Sequence, residues 1–418
     1  MTYMQTCFGF FFGYIVIAHV LLPLYYRLDL TSIYTYLDKR IGHHSYKTGA
    51  SFFFLSKMLG AAVKLYVVCI ILQRYVFDAY HIPFAVSTIG VVALIWLYTR
   101  KSGIRTIVWT DSLQTFCMLT ALALIFYQVA TILQSGGIDV AEAIRQSPHS
   151  RIFVFDDWQS RQNFFKQFFS GIFITIVMTG LDQDMMQKNL TCRSLKESQK
   201  NMYCYGLSFI PVNFLFLSLG VLLLITATQM NIPLPDKGDE ILPMFATEGY
   251  LGYTVMALFT IGIIAASFSS ADSALAALTT CFCIDILEIN RYSRRKADAY
   301  RKKVHLIICA VFVACIIGFN AIDISSAIDL IYILVSYTYG PLLGLFAFGL
   351  FTHKKPKDHY VPYIAVASPI LCYIADRIIF YQTGYQFGYE MLMINGAITF
   401  IALMCLSIKN KPTEALSK

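Results

Sequence analysis

The stretch Ala265-Ala266-Ser267-Phe268-Ser269-Ser270-Ala271-Asp272-Ser273-Ala274-Leu275 sets hydroxyls and a carboxylate inside a run otherwise apolar enough to cross a membrane. A charge near the bilayer centre costs at least about 2.5 to 3.5 kcal/mol on insertion scales, so such a group normally faces a cavity, an ion or a partner. On a helix, Ala266, Ser269, Ser270 and Ser273 are three or four residues apart and share a face, which Ala276, Ala277 and Thr280 continue. Small residues on a membrane helix also serve close packing. Packing accounts for the alanines and for one or two serines, but not for Ser269, Ser270, Asp272 and Ser273 together. Hard oxygen donors with little charge suit a monovalent cation such as sodium better than calcium.

Two further polar islands interrupt apolar runs. In Ile107-Val108-Trp109-Thr110-Asp111-Ser112-Leu113-Gln114-Thr115, the residues Asp111, Gln114 and Thr115 fall on one helical face, although Asp111 is also close enough to Arg100, Lys101 and Arg105 to be an interfacial carboxylate. Gly180-Leu181-Asp182-Gln183-Asp184-Met185-Met186-Gln187-Lys188 ends another run, and a solvated helix end explains Asp184 better than Gln183. Lys57 and Lys64, seven residues apart in one apolar run, share a face, where they either snorkel or meet an anion.

The elements that must carry these residues are membrane helices. Of 418 residues, 57% are hydrophobic and 14% charged, against about 25% charged in soluble domains. Apolar runs of roughly 20 residues predict about eleven spans, near 5–26, 49–77, 82–99, 105–134, 163–183, 202–228, 249–286, 303–320, 327–351, 360–381 and 387–408. Most of the 33 lysines and arginines then fall on one side, around 27–47, 100–105, 188–200, 291–303, 354–357 and 409–418. The positive-inside rule sets the N-terminus outside and the C-terminus in the cytoplasm. Topology thereby absorbs the net charge of +8, no nucleic-acid role is needed, and the basic run Arg291 to Lys303 reads as a segment facing anionic lipid. The eleven cysteines are scattered, and Cys281 and Cys283 have the wrong spacing for a zinc or redox motif. Met1 is followed by neither a basic n-region nor a cleavage site, so no signal peptide is expected.

Taken in order, these segments resemble the sodium/solute symporter family, whose members carry sugars, proline, iodide, sialic acid and vitamins. The resemblance rests on Leu22-Pro23-Leu24-Tyr25-Tyr26-Arg27 with Thr31-Ser32-Ile33-Tyr34-Thr35-Tyr36-Leu37, on Trp109-Thr110-Asp111-Ser112-Leu113-Gln114, on Asp182-Gln183-Asp184-Met185-Met186-Gln187-Lys188, and on Ser269-Ser270-Ala271-Asp272-Ser273 with Cys283-Ile284-Asp285. It implies an all-α, polytopic membrane protein with the inverted-repeat, broken-helix transporter fold, in which ion and substrate sites lie near the midplane. Residues 1–134 would be the remainder of the first repeat, 163–351 the second, and 352–418 two peripheral helices and a cytoplasmic tail. The first span matches the family's second core helix, so the sequence is expected to be N-terminally truncated relative to the family, lacking two helices and with them one wall of each site.

Carried over by position, the Ala266 carbonyl with the Ser269 and Ser270 hydroxyls would form the common sodium site, and Asp111 with Ser270 and Ser273 a second one. Thr175, Met178, Ile333 and Ser336 fall at substrate-lining positions, where Thr175, Met178 and Ile333 differ from the residues of sugar carriers and disfavour a sugar. Ser336, Tyr337 and Thr338, just before Gly340-Pro341, could line a pocket, although the glycine-proline kink is equally explained by helix bending with no ligand. The implied function is sodium-coupled symport of a small polar or anionic solute across the cell's inner membrane, with Na+ as the co-transported ion, the solute and lipid as partners, and no bearing on oligomeric state. Nothing resembles a paired acid and base, a nucleophile triad or a phosphate loop, so no enzyme is expected. The rivals are a transport-inactive fragment and a membrane sensor or scaffold that has kept the fold.

Overall fold

A computed structural model describes residues 1–28, 32–99, 104–322 and 326–408, with the side chains of 98–99, 104–111, 267, 290 and 408 outside the description. The membrane-type helices are α1 (Tyr3–Leu28), α2 (His43–Tyr80), α3 (Phe84–Thr99), α4 (Ile104–Ser135), α5 (Phe164–Gly180), α6 (Gln183–Leu190), α7 (Leu195–Gln229), α8 (Tyr253–Ile286), α9 (Arg294–Asn320), α10 (Ala327–Thr338), α11 (Gly340–Phe351), α12 (Val361–Thr383) and α13 (Met391–Cys405). Among the described residues, seven helices are long and apolar enough to cross a membrane. Two bent pairs, α5 with α6 and α10 with α11, each make one more candidate span, and the apolar parts of α3 and α13 are shorter. Together they account for the eleven runs expected, in a multi-pass membrane protein. The one extended pairing among the described residues is Lys355–Pro356 against Ser407–Ile408. At 38 residues, α2 extends about 57 Å at 1.5 Å per residue, so it must tilt or project beyond an apolar layer of roughly 30 Å.

Small residues bring α1 and α5 into close approach. Gly9 and Gly13 of α1 lie against Gly171 and Thr175 of α5. A Cβ on Gly9 would strike the Phe168 carbonyl and stand 3.0 Å from the Gly171 Cα, and one on Gly171 would strike the Thr6 carbonyl. Packing of this kind replaces the missing hydrophobic drive between helices in lipid, and it fixes α5 against α1.

Both breaks are chemically closed. The α5–α6 bend of 68° follows a π-helical turn over Ile176–Gly180, and Asp182 then caps α6, accepting from the Asp184 and Met185 N–H groups at 2.9 and 3.2 Å. The backbone groups freed by the bend must find partners inside the protein. Tyr25 donates to the Gly180 carbonyl at 2.9 Å and Tyr34 to the Leu181 carbonyl at 2.7 Å. Gln183 is buried and accepts from the Ile33 N–H at 2.8 Å. The α10–α11 bend of 48° arises at Gly340-Pro341, because proline lacks the N–H that would bond four residues back. Asn395 of α13 compensates, donating to the Ser336 and Tyr337 carbonyls at 3.0 Å each and accepting from Ser368 at 2.6 Å. The kink is thereby explained by helix geometry alone.

Buried side chains form two apolar clusters. The larger joins α1, α2, α5, α8, α9, α10 and α11 around Tyr25, Tyr34, Phe53, Phe312 and Phe346. The smaller joins α4, α7 and the first half of α8 around Val129, Leu222, Phe245 and Phe259. At the far end of α8, Tyr46 donates to Asp285 at 2.8 Å, Lys47 donates to the Asp285 and Ile286 carbonyls, and Glu288 receives Lys47, Arg291 and His43.

Candidate functional site

A cavity of about 600 Å³ lies between α1, α2, α4, the α5–α6 bend, α7, α8 and α10. The shared face of α8 predicted by spacing is its serine wall, formed by Ser269, Ser270, Ser273 and Ala274. Asp272 does not belong to that wall: one residue is a rotation of about 100° on a helix, which turns it into the protein, fully buried. Ala266 is not a wall residue either, and its role in the sodium site called only for the backbone carbonyl.

Of the substrate-lining positions, Thr175 and Met178 are at the wall and Ile333 and Ser336 are not. The cavity face of α10 runs Ile328, Ile331, Tyr332, Val335, Tyr339. Ile333 falls between these and faces outward, 42% exposed, while Ser336 is buried and donates to the Tyr332 carbonyl at 2.7 Å. The Asp111 side chain lies outside the described residues. Gln114 and Thr115, on the same predicted face of α4, line the cavity.

Opposite the serines stands an ion-pair network that sequence reading did not assemble. Lys57 of α2 donates to Asp182 at 2.9 and 3.2 Å and to Asp184 at 3.2 Å. These side chains are only 15%, 5% and 14% exposed. Tyr339 reaches Asp182 at 3.5 Å. Lys188, one turn after Asp184 on α6, stands 3.8 Å from its carboxylate and donates to the Ser273 hydroxyl at 3.2 Å. Asp184 is therefore a cavity residue rather than a solvated helix end, because the bend at Gly180 turns the start of α6 back toward α2. Lys57 does not snorkel: it pairs inside. Its one legible signal was a lysine in an apolar run, repeated at Lys64 on the same face.

Lys64 also lines the cavity, so among the described residues three ammonium groups face two carboxylates across it. Tyr332 of the cavity wall belongs to a tyrosine cluster. Tyr3 and Tyr332 share a hydrogen bond of 2.6 Å, the Tyr332 ring meets the Tyr389 ring edge-on at 4.8 Å, and Tyr389 donates to Asp329. No group of three or more His, Cys, Asp or Glu side chains among the described residues could hold a metal ion.

Residues 2–358 match the model of the sodium:solute symporter family. The sodium-dependent multivitamin transporter of Oryctolagus cuniculus is 27% identical over 356 residues, covering 82% of this chain and 54% of that protein. The sodium/sialic acid symporter SiaT of Proteus mirabilis is 23% identical over 373 residues, 87% of this chain and 73% of that protein. A solved structure of a Na+-coupled sialic acid symporter, substrate-bound and outward-open, superposes with a TM-score of 0.76 at 20% identity, covering 96% of this chain and 82% of that one. At that identity the likeness is one of fold. The chain spans about half the length of the multivitamin and iodide transporters that it matches.

Proposed function

Because this chain belongs to the sodium:solute symporter family, we propose that it couples sodium entry to uptake of a small anionic solute by alternating access. One observation carries the reading: the serine wall of α8 and a lysine-rich wall of α2 and α6 face each other across one cavity. Sodium is held by the Ala266 carbonyl with the Ser269 and Ser270 hydroxyls, and the solute's negative charge is met by the surplus of one ammonium among Lys57, Lys64 and Lys188 over the Asp182 and Asp184 carboxylates, with Thr175 and Met178 beside it. Relatives described as carriers of iodide, monocarboxylates and sialic acid transport anions, which supports the same sign of charge here.

Residues 1–134 and 163–351 act as two opposed repeats that rock about the cavity, with 352–418 peripheral. The chain sits in the inner membrane with its N-terminus outside and its C-terminus in the cytoplasm. Sodium favours one of the two arrangements only through its differential affinity for them.

The test is uptake of radiolabelled monocarboxylates and sialic acid into proteoliposomes holding the full chain, with sodium varied on the outside. Ser269→Ala or Ser270→Ala should raise the sodium concentration for half-maximal uptake, and an unchanged sodium dependence in both would refute the site. Lys64→Met should raise the half-saturating concentration of the anion while leaving sodium dependence in place.

A further inference from the structure

We propose that residues 151–158, in the link between α4 and α5, form an aromatic anchor whose Phe153, Phe155 and Trp158 rings enter the lipid headgroup region where α1 and α5 begin. The three side chains are 45%, 56% and 64% exposed. They are not scattered. The Phe153 ring stacks on Phe8 of α1 with centroids 6.0 Å apart, Phe155 stands 4.7 Å from Phe164 of α5, and Trp158 meets Phe165 at 6.2 Å. The surface continues along the spans through Phe168, which packs between the half-exposed Phe12 and Phe169 at 5.4 and 5.6 Å. A contiguous exposed apolar surface of this kind marks a partner.

That partner is lipid. Phe12 and Phe169 sit on α1 and α5, so the lipid that covers these spans also reaches the rings of the link. Trp158 carries an apolar body and one polar N–H, the combination that favours the membrane–water boundary, and the Lys166 ammonium stands 5.9 Å from its ring. Arg151 and Asp156 pair with each other beside the rings, so the segment brings no unpaired charge from that pair to the surface. A segment that enters such a region does so with its backbone groups already paired. The Val154 N–H donates to Gln5 Oε1 at 3.1 Å, and its carbonyl accepts from the Phe164 N–H at 2.8 Å. The Phe153 carbonyl accepts from Arg151 Nε at 3.1 Å. Val154 is buried while Phe153 and Phe155 are exposed, the alternation of an extended chain, which presents both rings on one side. The anchor is thus tied to α1 at Gln5 and to α5 at Phe164, the two helices that meet at Gly9 and Gly171, and it sets the depth of that pair in the membrane.

The experiment irradiates the unmodified full chain in phosphatidylcholine nanodiscs that contain a phosphatidylcholine with a diazirine near the glycerol end of its acyl chain. Adducts are mapped by peptide mass spectrometry. Adducts on 151–158 are expected, and labelling of the spans with none on 151–158 would overturn the proposal. In a second measurement, Trp96→Phe and Trp109→Phe leave Trp158 as the single tryptophan, with melting curves to establish that the chain is folded. Its emission is expected to be lost to brominated lipid, more with bromine near the headgroup end of the acyl chain than near the methyl end, and to resist aqueous iodide. Adding Phe153→Asp and Phe155→Asp is expected to shift that emission to the red and open it to iodide. Ready quenching by iodide before those two changes would place Trp158 in water and overturn the anchor. Insensitivity to iodide and brominated lipid alike would overturn it too, since it would mean that protein, such as a second copy of this chain, covers the rings.

Discussion

Replacing Lys57 by methionine isolates the central ion network, because methionine retains the length and apolar stem of lysine while removing the ammonium. Two carboxylates lose a charged donor at 2.9 to 3.2 Å. At an effective dielectric near 20, each such pair is worth about 5 kcal/mol before desolvation, and desolvation of the ions cancels much of that. The measured cost of removing one partner from a buried pair is about 3 to 5 kcal/mol. The low exposure of all three side chains argues against discounting this for solvent screening. The assay is reversible unfolding of the purified full chain in mixed micelles, followed by far-UV circular dichroism as the denaturing detergent is increased. Lys57→Met should lose about 3 to 5 kcal/mol. Adding Asp182→Asn and Asp184→Asn should recover most of the loss, since the amide at 182 can still accept the α6 cap bonds from 184 and 185. A Lys57→Met chain as stable as the unmodified one would refute the network's role. A triple variant no more stable than Lys57→Met would show that the loss came from packing rather than charge.

Asn395→Ala should cost at least about 2 kcal/mol in the same assay, since it strands the carbonyls of Ser336 and Tyr337, each worth about 1 to 3 kcal/mol when left unpaired and buried; a loss under half a kilocalorie would sink the account of the kink. Gly171→Ala should cost about 1 to 3 kcal/mol by forcing α5 from α1, and an unchanged unfolding midpoint would mean that the two helices are not in this close register. Lys47 hydrogen-bonding, with Arg291 and His43 nearby, holds the Glu288 carboxyl below its ordinary 4.5. Its folded value is thus depressed, so its contribution to stability is present above pH 4.5 and is lost as pH falls through the lower folded value. Glu288→Gln should flatten that part of the acid-unfolding curve, and identical curves for the two chains below pH 4.5 would refute the assignment.

Much of this architecture is legible in the residue order. The apolar runs and the bias of Lys and Arg toward alternate loops follow from the cost of lipid burial, and they yielded the spans without any knowledge of contacts. The three-and-four spacing of Ser269, Ser270 and Ser273 placed them on one face, and they share one wall. Periodicity could not decide the phase of each face relative to its neighbours. Asp272 is next to Ser273 in sequence but turned inward, and Ile333 faces away from the cavity that Ile331 and Tyr332 line.

The pairing of Lys57 with Asp182 and Asp184, more than a hundred residues away, was beyond sequence spacing altogether. It depends on a bend that Tyr25 and Tyr34 make tenable by donating to its Gly180 and Leu181 carbonyls, while the Gln183 side chain ties it to the Ile33 N–H. Local patterning is enough to determine what crosses a membrane and which residues share a helical face, because both are set within a few turns of chain. Which charges meet depends on how broken helices dock, and that was decided only by the tertiary structure.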